Sequence, residues 1–239
     1  MKNFKSFLTE MKISLEYHDT LNPDLWVNDK LKPQVKSSLL KFIDSWREYA
    51  NIPKNLVKDI VMVGGNANFN YTKKSDIDVH LLIDRNKLGK DRKLIDDYLQ
   101  DKKTMWTMTH DIKVFTYPLE PYAQDVSAKF PEGQGVYSLK NDKWIQKPVH
   151  GTFDFKNDKH LKQKVLSYMH MIDHMIKSNV SVDLFDNLKS KIKDMRSSGI
   201  QKGGEFSLEN LVFKELRNRG YLDKINNYQK KKQDKLLSL

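Results

Sequence analysis

The sequence predicts an α+β fold, a mixed sheet with flanking helices followed by a C-terminal helical lobe. Three observations carry this prediction. A helical periodicity opens at Pro33, short runs of strand type follow between residues 59 and 145, and from about Asn157 the apolar spacing turns helical. A chain of 239 residues is long enough for a well-buried core with a helical companion. Its organisation reads as an N-terminal extension over 1–30, a sheet-bearing domain over 31–150 and a helical domain with a basic tail over 151–239.

In the first element Val35, Leu39, Leu40, Phe42, Ile43, Trp46 and Tyr49 recur at three- and four-residue spacing. Pro33 suits the first helical turn and Pro53 lies beyond the end. Residues 59–63, DIVMV, form a short buried strand that stops at the turn Gly64-Gly65. Residues 75–84 then alternate with period two, so that Asp76, Asp78 and His80 share one face and Ile77, Val79 and Leu81 the other. Residues 87–98 suit a short helix, and Met105, Trp106 and Met108 after it read as core. Residues 111–116 and 119–123 read as strands about a turn at Tyr117-Pro118, and 135–139 and 143–145 as a hairpin about Asn141-Asp142.

The helical lobe shows three apolar stripes: Leu161, Val165, Met169, Ile172 and Ile176; Leu184, Leu188, Ile192 and Met195; and Leu208, Leu211, Val212 and Leu216. Residues 197–206, with Gly199, Gly203 and Gly204, read as a flexible connection before a helix capped by Ser207 and closed by Gly220. A tail follows from Tyr221 and carries Lys230, Lys231 and Lys232.

Composition bounds the chemistry. The chain has no cysteine, which excludes disulfides, thiolate nucleophiles and cysteine zinc sites together. His170 and His174 are four apart, but residue 171 is methionine, so HExxH is absent and a polar helix face is the expectation. No stretch approaches the roughly 20 apolar residues that span a bilayer, so no membrane partner is expected. The net charge of +11 raises the local concentration of RNA, DNA or nucleoside triphosphates, or serves solubility alone. The first ten residues lack the apolar core of a secretory signal, and a cytoplasmic location is expected.

The informative stretch is VMVGGNANFNYTKKSDIDVHLLID, residues 61–84. Carboxylates two apart on a strand point the same way and can share divalent cations, as two-metal phosphoryl transfer requires. Glycines at the preceding turn let backbone N–H groups approach a phosphate. Asn66, Lys73 and Lys74 lie in the loop between, where they could contact phosphates, and His80 continues the carboxylate face, where it could contact base or phosphate or simply fill a half-exposed strand position.

This arrangement resembles the signature of the DNA polymerase beta superfamily of nucleotidyltransferases: an apolar strand, Gly followed by Gly or Ser, a gap, and Asp-apolar-Asp. The resemblance covers about residues 55–125. It implies metal-dependent transfer of a nucleoside monophosphate from a nucleoside triphosphate such as ATP to a hydroxyl on RNA, protein or a small molecule. Asp76 and Asp78 would bind magnesium or manganese, and Gly64 and Gly65 would seat the phosphates. The family's third acid, on a neighbouring strand, is matched by Glu120 in Leu119-Glu120-Pro121 in preference to Asp111, and would complete the metal set or act as base. Residues 205–222 and the leader-like MKNFKSFLTE, with Leu8, Thr9 and Glu10 at a prohead-protease pattern, are similar to tailed-phage proteins. The same ten residues also suit a first helical turn packed through Phe4, Phe7 and Leu8. The competing reading is a non-catalytic phage protein, packaged in the head or directed at the host, that keeps the fold.

Overall fold

The computed structural model describes residues 11–151 and 154–238, so the leader-like residues 1–10 lie outside the described residues. The chain divides into two compact units, a sheet unit over 17–152 and a helical unit that joins the residues before 17 to those after 152. The architecture is of mixed α+β type.

The sheet unit begins with a small ribbon, Trp26–Val27 (β1) against Lys30–Leu31 (β2), turned by Asn28 and Asp29 in the left-handed region. Helix α1 spans Pro33–Tyr49, with Pro33 in its first turn, and buries Val35, Leu39, Phe42, Ile43 and Trp46. The strands follow as Val57–Val63 (β3), Ile77–Ile83 (β4), Lys113–Val114 (β5), Tyr117–Asp125 (β6), Val136–Ser138 (β7) and Lys143–Gln146 (β8). Their order is β5-β6-β4-β3-β7-β8. Strands β4 and β6 run parallel and every other neighbouring pair antiparallel. The crossover between the parallel pair is helix α2, Arg92–Thr109.

Alternation in β4 sets the layers. Ile77, Val79, Leu81 and Ile83 are buried and share one core with the apolar faces of α1 and α2. The opposite face of the strand therefore presents Asp78 and His80. Leu21, Leu25, Trp26 and Leu31 belong to that same core. Residues 17–30, read from sequence as part of an extension, thus lie in the sheet unit, because Leu21, Leu25 and Trp26 anchor the segment.

Local details differ from the sequence reading in three places. Helix α2 starts at Arg92, because the Asp91 side chain accepts from the Leu94 N–H as an N-cap, and it continues to Thr109. It thereby takes in Trp106, which is core, and Met105 and Met108, which are exposed. The turn between β5 and β6 sits at Phe115-Thr116, not at Tyr117-Pro118: Val114 pairs with Tyr117, and Phe115 supplies the positive φ of 55°. Strand 111–116 shrinks accordingly to two residues.

The helical unit contains Lys159–Lys177 (α3), Val182–Gly203 (α4), Leu208–Asn218 (α5) and Tyr221–Leu237 (α6). Ile172, Phe185, Leu188, Ile192 and Ile225 form one core cluster. The segment read as a flexible connection is the last two turns of α4 followed by a 3₁₀ turn at Gly204–Phe206. Gly199 is buried there because α5 passes close by: a Cβ on it would lie 2.6 Å from the Glu209 Cβ and 2.8 Å from the Ser207 Oγ. Ser207 does cap α5, and Gly220, at φ 75°, separates α5 from α6. The lysine tail is thus a helix.

Residues 11–16 complete this unit as an extended segment with Met11, Ile13 and Leu15 buried and their neighbours exposed. The Ser14 N–H donates to both Glu215 carboxylate oxygens, at 3.1 and 3.0 Å, and its hydroxyl to one of them at 2.6 Å. Arg219 pairs with the same carboxylate at 2.7 Å and donates to the Lys12 carbonyl. No helix among the described residues is long and apolar enough to cross a membrane.

Candidate metal centre

The site begins where β3 ends. Gly64 adopts φ 78° and ψ −167°, a conformation that L side chains avoid. A Cβ there would lie 1.9 Å from the Asp78 Oδ2, so glycine is the residue that lets the turn run directly beside the carboxylate. Gly65–Ala67 follow as one 3₁₀ turn. The Asn68 amide then donates to the Gly64 carbonyl at 2.6 Å and accepts from the Gly135 N–H at 2.8 Å, tying the turn to the start of β7.

Asp76 precedes β4 and Asp78 lies within it, two residues on and on the same side. The parallel register places Glu120 of β6 opposite Asp78. One carboxylate oxygen from each of Asp76, Asp78 and Glu120 lies within 4.8 Å of the other two, and all three residues are half-buried. Three hard oxygen donors at this separation fit magnesium or manganese, in contrast to the nitrogen and sulfur sets that favour zinc.

Beside the carboxylates stands a cation that the sequence did not single out. Lys103, on α2, reaches Glu120 with its Nζ 3.0 Å from Oε2, and the same ammonium lies 5.7 Å from the centre of the Tyr122 ring. A lysine on a polar helix face carries no sequence signal of such a partner, because the partner is set by the crossover.

His80 is next on the acidic face. Its Nδ1 hydrogen-bonds the Gln124 Oε1 at 2.7 Å and its ring packs 5.0 Å from that of Tyr122, the residue paired with it in register. Burial disfavours its charged form and lowers its pKa from 6.5 to about 4. At neutral pH the ring is therefore neutral, suited to hydrogen bonding and not to ion pairing with phosphate.

A pH dependence of stability follows with a definite sign. Between pH 6.5 and about 4 the unfolded chain takes up a proton at His80 that the folded protein refuses. The stabilisation is fully present above pH 6.5 and declines as pH falls through that window, by at most about 3 kcal/mol. In His80→Gln this decline should be absent. Urea midpoints of the metal-free wild type and variant, measured at pH 7 and pH 4.5, provide the check: parallel losses in both proteins would exclude His80 as the source.

The remaining candidates separate clearly. Asn66 is fully buried and its amide is already engaged, donating to the Ser75 and Asp76 carbonyls at 3.2 and 2.9 Å and accepting from Asn22 at 2.8 Å. These bonds fix the approach to Asp76. Asp111 stands apart from the three-carboxylate cluster, with its side chain 78% exposed and paired with Lys113. Lys73 and Lys74 are exposed at the tip of a turn held by the Thr72 N–H on the Ser75 Oγ at 2.9 Å. Gly65 follows Gly64 in the turn, and a Cβ on it would meet the Ser75 Oγ at 3.0 Å. His170 and His174 are both exposed on α3, outside the only trio of metal-ligating side chains found among the described residues. Compared with protein-family models, with curated proteins and with solved structures, the chain finds no match.

Proposed function

We propose that the protein is a metal-dependent nucleotidyltransferase of the polymerase beta type, which moves a nucleoside monophosphate from a nucleoside triphosphate to an acceptor hydroxyl. The observation that supports this most is the convergence of Asp76, Asp78 and Glu120 beside a glycine turn. In such a transfer the acceptor oxygen forms a bond to the α-phosphorus, the bond to the bridging oxygen breaks, and pyrophosphate leaves. Asp76, Asp78 and Glu120 would hold magnesium or manganese, which when bound neutralises phosphate charge and favours in-line attack.

The chain's own groups divide the remaining work. The Gly64 turn leaves the space next to Asp78 clear of side chains, so phosphates can lie against backbone. Glu120 completes the ligand set or takes the proton of the attacking hydroxyl. Lys103 offsets the charge on Glu120 while the cluster holds no cation. Lys103→Met should accordingly tighten manganese binding severalfold in a calorimetric titration, and unchanged or weaker binding would count against that role.

The direct test is incubation with each α-labelled nucleoside triphosphate, magnesium or manganese, and RNA, protein or small alcohols as acceptor. Label should appear on one acceptor class with release of pyrophosphate. Absence of transfer from all four triphosphates under both metals would favour the non-catalytic reading. Within the active system, Glu120→Gln should lower the rate far more than Asp111→Asn, because Asp111 stands outside the cluster. The reverse order in a single-turnover assay would remove Glu120 from the site.

A further inference from the structure

The helical unit holds a cavity of about 540 Å³ between α4, α5 and α6 that the proposed transfer does not use. Its size falls within the range of small-molecule sites. Lys189, Lys193 and Arg196 line one wall; spaced four and three apart on α4, they lie along one face of that helix. The floor is apolar: Phe213 and Leu222 are partly exposed there, backed by the buried Ile192 and Ile225. Arg196 is held in place, with its Nε donating to the Asn210 Oδ1 at 3.2 Å and its guanidinium 4.3 Å from the Phe213 ring. Lys189 is steadied by the Gln229 Oε1 at 3.2 Å.

Three cations over an apolar floor call for an anion with a flat apolar body. Ser190 and Asn226 add polar groups to the lining, and Asp186, beside Lys189, accepts from the Gln229 Nε2 at 2.8 Å. A fatty acid would set its alkyl chain against Ser190 and Asn226, and inorganic phosphate would leave the floor bare. We propose that this cavity binds a nucleoside monophosphate, with the phosphate on Lys189, Lys193 and Arg196 and the base against Phe213 and Leu222. This site is separate from the carboxylate cluster and its occupancy requires no metal.

The test is an anisotropy titration of the full-length protein with fluorescent mant-AMP in EDTA. Saturation at one probe per chain is expected, with AMP competing better than adenosine or inorganic phosphate. Lys189→Gln combined with Lys193→Gln should weaken binding at least roughly tenfold while the melting temperature is kept. Leu222→Trp, which fills the floor, should remove binding, whereas Asp76→Ala should leave it unchanged. The proposal is overturned if no saturable binding is seen, if adenosine or phosphate alone competes as well as AMP, or if both cavity variants bind like wild type. Loss of binding on Asp76→Ala would move the nucleotide to the carboxylate site and overturn it equally. Transfer activity is not part of this readout, so failure here and failure of the transferase reading are separately visible.

Discussion

Asp76→Ala and Asp78→Ala should each abolish nucleotide transfer, by about three orders of magnitude or more, while the fold persists. The two carboxylates and Glu120 crowd their oxygens within 4.8 Å of one another. Without a cation, like charges at that distance repel, so removal of one relieves the folded state. Circular dichroism melts in EDTA should therefore give the variants a melting temperature equal to or above that of wild type. Added manganese should stabilise wild type and leave both variants nearly unmoved, because a ligand raises stability only through binding to the folded state. Turnover by both variants at the wild-type rate would end the transferase assignment.

The largest stability effect should come from Glu215→Ala in the helical unit. The Glu215 side chain is fully buried, and it accepts from the Ser14 N–H, the Ser14 hydroxyl and the Arg219 guanidinium. Removing the carboxylate leaves the Ser14 N–H and hydroxyl and the partly exposed Arg219 guanidinium without their acceptor, at a cost of about 1.5–3 kcal/mol. Domain stabilities are only about 5–15 kcal/mol, so residues 11–16 should detach before the rest unfolds. Hydrogen exchange should show the Ser14 amide losing protection. Glu215→Gln keeps an acceptor for Ser14 and should fall between. A denaturation midpoint shifted by under about 1 kcal/mol in Glu215→Ala would show that the apolar contacts alone hold the segment.

What could be read from sequence was local. Strand β4 announced itself because period two separates Ile77, Val79 and Leu81 from Asp78 and His80 within seven residues. The Gly64 turn was legible because only glycine tolerates its φ, and α1 because its apolar stripe and Pro33 agree. Glu120 was within reach because its strand carries apolar flanks. The pairing with Lys103 was not, since it depends on where α2 lies against β6. Gly199 misled for a related reason: a glycine that admits a neighbouring helix has the same letter as one that loosens a chain. Asn66 looked like a loop amide, and only the fold shows it closed in by Asn22, Ser75 and Asp76.

The way the chain is divided bears on the order in which it can mature at the ribosome. Residues 17–152 form one continuous unit, whereas the helical unit is split around them. The sheet unit is continuous in sequence, so it can condense once residue 152 has emerged, while synthesis continues. Ser14, made near the start, waits for Glu215, 201 positions later, before its amide finds an acceptor. Contacts this distant in sequence form slowly, because the intervening loop must close first. The helical half is thus the late step of biogenesis, and a nascent chain stalled before Glu215 would present Met11, Ile13 and Leu15 to solvent as a ready target for chaperones.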